Sequence, residues 1–241
     1  MAGALPNCLI CGADLVYASE STLHTCAVCG KEEMGTTACE GGHYVCNTCH
    51  RQGGVDFMRK LCVLSRSKNA VEILTQAMED KSVYPNGPEH HTMVGAALLT
   101  AYYNAGGKIG GGRMTKGDAL KELQARSMQV PGGTCGFWGC CGAATSAGQA
   151  LSIINGSTPL KRDEWGQCQR LTSTILGHLA DQGGPRCCKR TGYTALLDGT
   201  DFLNEHFNVR MERPESVTCR FRAGNKQCLR RECPYFPKKG E

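Results

Sequence analysis

No apolar run in this sequence is long enough to cross a membrane. The longest nearly unbroken one, Met93 to Tyr103, is interrupted by Gly95 and Thr100 and falls well short of the roughly 18 to 20 residues a span requires. A basic-then-apolar leader is likewise missing from Met1–Pro6, which points to the cytoplasm and away from a secreted disulfide scaffold. Strong charge is absent too: the formal net charge is +5, and basic residues gather only in small groups, so an anionic partner is permitted but not demanded. Several catalytic signatures are missing as well. No Gly-Lys-Ser/Thr closes the glycine run Gly106–Gly112, no strand followed by Gly-x-Gly-x-Gly is visible, no Cys-x3-Cys-x2-Cys triplet occurs, and no i, i+4 histidine pair sits on a helix.

What the chain does have is cysteine, 17 in 241 residues. In a reducing compartment such residues read as metal ligands or redox thiols. Residues 8 to 50 are paced by Cys8-x2-Cys11, Cys26-x2-Cys29, Cys39-x3-His43 and Cys46-x2-Cys49. Four ligand pairs are enough donors for two tetrahedral zinc ions, because each Cys-x2-Cys knuckle turns two thiolates toward one metal. A segment with so few large apolar residues could hardly fold without that metal. Two pairings are open: sequential, as in a zinc ribbon, or a cross-brace joining the first pair to the third and the second to the fourth. His50 is a ninth donor candidate, read here as a solvent-facing histidine at a helix start. The segment lacks a basic, aromatic-interleaved face, so protein docking or stability is favoured over nucleic acid, which stays a minor option.

The period then becomes helical. The fold expected is mainly α: a double zinc-binding module over residues 1–54, followed by an all-helical, cysteine-rich domain over 55–241 with a metal-binding tail. Ala70 to Met78 shows one buried face, with the helical pattern starting near Asp56. Cys62 reads as a small core hydrophobe. Further helices are expected over Met93–Asn104, Thr115–Met128, Ala143–Ile154, Trp165–Ala180 and Thr194–Phe207, with the glycine run as a flexible connection. Before the first of these stand Glu89, His90 and His91, an acid and two imidazoles able to bind metal or move protons. Adjacent helical residues diverge by about 100°, so the two histidines should not address one site.

Two clusters carry the remaining thiols. Val130–Ser146 holds Cys135, Cys140 and Cys141 among five glycines beside Phe137 and Trp138. Arg186-Cys187-Cys188-Lys189-Arg190 follows a helix end. Helix starts and cationic neighbours favour thiolate, so Cys140, Cys141, Cys187 and Cys188, with Glu89 and His90, are the candidate catalytic groups. Cys135, Arg186 and Lys189 are the candidate cofactor-binding ones. A disulfide between adjacent cysteines is strained, so each vicinal pair reads as one working thiol and one supporting thiol. The tail adds Cys219, Cys228 and Cys233, three ligands that need a fourth from Cys135, Cys141, Cys168, Cys187, Cys188 or a substrate. Cys233-Pro234 is reminiscent of iron–sulfur ligation, though the spacing matches no standard ferredoxin run.

Gly87–His91, Pro131–Ala143, Thr158–Leu160, Gly183–Arg190 and Asn225-x2-Cys228, taken together, resemble an uncharacterised prokaryotic and archaeal domain family. The resemblance implies an anaerobic setting and protein partners of methyltransferase-like, radical-SAM or redox type, because members are sometimes fused to such modules. It supplies no activity. The Cys-Gly-Ala helix start is also similar to that of a family of small helical redox proteins. The reading that results is a cytoplasmic metal-binding protein with two structural zinc ions. Its helical domain would carry an iron–sulfur cluster or perform thiol redox or sulfur-transfer chemistry, at one site shared by the two clusters and the tail. The competing reading is an all-zinc adaptor that docks a protein or RNA.

Overall fold

The computed structural model describes residues 8–238; the expectation drawn from Met1–Pro6 lies outside the described residues. The chain is mainly helical, one two-stranded sheet followed by eight helices among the described residues. Strands β1 (Leu15–Thr25) and β2 (Glu32–Cys39) are antiparallel, pairing Leu15 with Cys39 and Thr25 with Glu32, with a register shift between Tyr17 and Thr22. Two strands with so little buried surface are marginal in water. Their stability has to come from the ends, where cysteine turns stand at Cys8–Cys11, at Cys26–Cys29 between the strands and at Cys39–His43.

Helix α1 (Asn47–Leu64) starts inside this cysteine module, capped by the Cys46 sulfur on the Cys49 amide, and buries Met58 and Cys62 in the helical core. It therefore crosses residues 54 and 55 without a break. It also begins well before Asp56, because Gly53 and Gly54 dilute the apolar period there. α2 (Ala70–Met78) is capped by Asn69.

The centre of the body is α3 (Glu89–Asn104), in which every residue from Glu89 to Tyr102 is buried. A helix apolar nearly all round has to be surrounded. α1, α2, α4 (Lys116–Ser127), α6 (Gly142–Asn155) and α8 (Cys188–His206) pack on it, with the one-turn α5 (Thr134–Phe137) before α6 and α7 (Asp163–Gln182) outside α6 and α8. α3 and α6 approach closely at Gly95, whose amide donates to Ser146 Oγ at 2.9 Å. A Cβ there would stand 2.6 Å from that oxygen. Each fully buried leucine of this core, Leu98, Leu99 and Leu151 among them, contributes about 1.5–3 kcal/mol.

Two expectations change. The glycine run is a 3-10 turn, Ile109–Gly112, anchored by buried Ile109, with Gly110 and Gly111 at positive φ. α8 starts at Cys188, ahead of Thr194, because Gly192 is where the helix comes against Leu74 and Val94 and acts as a packing residue there. The tail returns to α8 through Tyr235, whose hydroxyl lies 2.8 Å from Thr194 Oγ1 and whose ring meets Tyr193 edge-on.

Candidate metal centres and cleft

The four N-terminal ligand pairs converge as two sets: Cys8, Cys11, Cys39 and His43, and Cys26, Cys29, Cys46 and Cys49, each with its ligand atoms within 4.8 Å of one another. The pairing is the cross-brace. The hairpin dictates it: β1 leads from the first set to the second, and β2 leads back from the second to the first. Sulfurs of Cys11 and Cys39, and of Cys29 and Cys46, stand 3.8 Å apart. That is about the edge of a tetrahedron with metal–sulfur bonds of about 2.3 Å. Backbone amides two residues on point at the first thiol of each knuckle, Ile10 to Cys8 and Val28 to Cys26, both at 3.4 Å. Burial pushes the Cys26 thiol up, but the amides of Cys46, Cys29 and Val28 outweigh it and hold it down at about 6. This is a ligand already poised to ionise. Both sets can hold a metal ion.

His50 is not the solvent-facing residue expected. Its Nδ1 lies 3.4 Å from Glu89 Oε2, too poorly aligned for a full hydrogen bond, and its ring tilts against Tyr84. Glu89 is wholly buried and its Oε1 accepts from the Tyr84 amide at 3.2 Å and faces His90 Nδ1 at 3.3 Å. Burial alone would raise this carboxyl; the contacts with His50 and His90 outweigh it and hold Glu89 far below the usual range. On the other side of His90, Lys189 Nζ donates to Nε2 at 3.1 Å and to Tyr84 O at 2.6 Å. Burial, with this ammonium beside it, lowers His90. His90 is thus a neutral bridge inside the core. Lys189 and Arg190 are both buried, and Arg190 donates to Gly183 O and Pro185 O.

Six of the remaining thiols divide between two cavities. Cys187 joins the tail: Cys187, Cys219, Cys228 and Cys233 line one small pocket with Phe221, Tyr235 and the Lys189 stem. Amides two residues on address each tail sulfur, Phe221 to Cys219, Tyr235 to Cys233 and Arg230 to Cys228 at 3.4 Å. This repeats the arrangement at Cys8 and Cys26. Asn225 donates to Cys187 Sγ at 3.4 Å. Among the described residues only the two N-terminal sets bring three or more such ligand atoms within 4.8 Å of one another; no three of this pocket's four sulfurs do so.

Cys188, one residue on, faces a second and larger cavity of about 430 Å³ between the cysteine module and the body. Its walls include Tyr17, His50, His91, Thr134, Cys135, Trp138 and Arg186. The single shared site expected from sequence is therefore two. The physical reason is the start of α8: Cys187 is the extended N-cap and Cys188 the first helical residue, so neighbouring side chains diverge. Cys140 lies in neither lining, with its sulfur 3.2 Å from Thr145 Oγ1, and Cys141 packs against the core. The expectation of ionised thiols fails at Cys188 and Cys141. Burial raises both, Cys188 to about 12, against the weaker pull of nearby amides and, at Cys188, of Lys189 and Arg186.

His91 closes the cleft's inner end. Its Nδ1 lies 3.3 Å from Val130 O, and burial lowers it to about 4. Gly142 makes room for it, since a Cβ there would stand 2.2 Å from the ring. Sequence reasoning missed Tyr17, Thr134 and the partnership of His50 with Glu89, all contacts between distant segments. No solved structure and no curated protein matches this chain. The family of unknown function DUF5714 matches residues 58–236, and the chain belongs to it.

Proposed function

We propose that this member of the family is an iron–sulfur protein whose cluster is held by Cys187, Cys219, Cys228 and Cys233, with two zinc ions supporting the N-terminal module. The observation that carries this reading is the four-thiol pocket. Each tail sulfur receives an amide from two residues on, as Cys8 and Cys26 do, yet no three of the pocket's four sulfurs lie within 4.8 Å of one another, as the N-terminal ligand atoms do. A four-iron cluster holds its four thiolates farther apart than a single zinc ion, with Zn–S bonds of about 2.3 Å, does. Such a cluster supplies one-electron chemistry. In this protein Phe221, Tyr235 and the Lys189 stem would shield it from water, and the Asn225 amide would donate to one of its thiolates. The setting that fits is a reducing, anaerobic cytoplasm, with a redox, methyltransferase-like or radical-SAM protein as partner.

The test is protein purified without oxygen. Expected are about two zinc and about four iron per chain, with a broad absorption near 400 nm that dithionite bleaches. Cys187→Ser should abolish the band; Cys188→Ser and Cys140→Ser should keep it. About three zinc, no iron and no visible band would instead establish the all-zinc adaptor.

A further inference from the structure

The cleft between module and body is chemically distinct from the cluster pocket. None of its lining residues is an aspartate or glutamate. It holds one permanent cation, Arg186, which forms no ion pair among the described residues. The Arg186 guanidinium lies over the Tyr17 ring, 5.2 Å from its centroid, and donates to the Tyr17 hydroxyl. A planar guanidinium held this way still presents unused N–H groups, which suit a carboxylate or phosphate. A second, independent observation points inward. Thr134 is 2% exposed and lines the cleft, yet its hydroxyl has no hydrogen-bond partner. Buried hydroxyls are rarely left so. Around these polar groups lie Trp138 and Phe137, both on the cleft wall and both unusually exposed, at 66% and 48%. A large aromatic surface beside a cation and an orphan hydroxyl is the composition of a small-molecule site.

We infer that this cleft binds a small organic anion with a planar apolar body, its acidic group on Arg186 and Thr134 and its body against Trp138. Cys135, an exposed thiol on the same wall, lies beside the bound molecule. This assignment is independent of the cluster: it uses neither the tail thiols nor Cys187.

The probes are 2-naphthoate, 2-naphthyl phosphate and the neutral 2-naphthalenemethanol, titrated into full-length, zinc-loaded protein by calorimetry. One of the anions should bind at one site per chain, about tenfold or more tighter than the alcohol, as expected of a charge-assisted pair. Which anion wins separates carboxylate from phosphate ligands. Arg186→Met should remove that preference, while Arg113→Met, outside the cleft lining, should leave it. Thr134→Val should weaken binding by about tenfold or less, as loss of a neutral hydrogen bond would. The bound anion should also slow iodoacetamide alkylation of Cys135, read by peptide mass. Zinc content and circular dichroism confirm that each variant folds. If neither anion saturates, if the alcohol binds as well, or if folded Arg186→Met keeps the preference, the inference is wrong.

Discussion

His91 should make this protein acid-sensitive between pH 6.5 and 4. The ring is buried at the inner end of the cleft with Nδ1 against Val130 O, and burial carries it from 6.5 down to about 4. In the unfolded chain the imidazole takes up its proton near 6.5; in the folded chain it does so only near 4. Across that window the unfolded state binds more protons, so stability rises with pH: whole above 6.5, lost progressively toward 4 and flat below. At about pH 5 the unfolded form is nearly all protonated and the folded form scarcely so, a loss of about 2 kcal/mol relative to about pH 7. His91→Gln retains a donor for Val130 O and removes the titration. Urea unfolding at the two pH values should show a fall about 2 kcal/mol larger in the wild type than in the variant. Ligand thiols protonate in both proteins and cancel in the difference, provided metal content is followed in each. Equal falls would refute the reasoning. Gly142→Ala gives a second arm: the new Cβ, 2.2 Å from His91 Cδ2, must displace the ring, costing about 1–3 kcal/mol and flattening the same slope.

Three other outcomes follow from the geometry. Cys39→Ala should lower zinc from about two to about one per chain and, because β2 runs from the second set to the first, should also raise amide exchange along Leu15–Thr25; unchanged exchange would mean that the sites are independent. Glu89→Gln should cost about 3–5 kcal/mol in urea unfolding near neutral pH, since it leaves buried partners behind; because the folded Glu89 carboxyl is depressed, the wild type's advantage is full above the unfolded value of about 4.3 and shrinks as pH falls below it. Chelating the N-terminal metals should loosen the Pro131–Trp138 loop, because the Gly132 amide is held at 3.0 Å by Asn47 Oδ1, next to ligand Cys46; deuterium uptake of that peptide is the readout, and equal uptake with and without chelator would sink the link.

How much of this was legible beforehand depends on the length scale of each feature. The eight N-terminal candidate ligands, which converge in two sets, could be read because a knuckle is local: spacing and turn geometry are set within four residues. Their pairing could not, because it is fixed by which strand of the hairpin lies beside which, and Leu15–Thr25 has no buried face to announce its register. The helical body was legible where one face is apolar, as in Ala70–Met78. It was misplaced at both ends where glycines serve contacts between helices: Gly54 lies against Glu89, and Gly192 against Leu74. The site suffered most. Whether Cys187 or Cys188 joins the tail is decided by one residue of helix phase, and no spacing rule resolves that. The thiolate argument failed because it counted favourable neighbours and left out burial, which at Cys188 is the larger effect.

That same residue of phase carries the strongest structural consequence. Cys187 faces the four-thiol pocket and Cys188 faces the acid-free cleft, so the backbone between them is the wall separating the two. Behind it, Lys189 lines the thiol pocket with its stem and touches His90, His90 touches Glu89, and Glu89 reaches His50 on the cleft. A wall built from buried charges and their partners is stiff, because moving any one member strands another without compensation. The two cavities are therefore held in fixed relation by the core itself. A molecule bound against Arg186 would sit one residue from a ligand of the proposed cluster, on a scaffold whose other half is positioned by the hairpin that carries the two candidate metal sites.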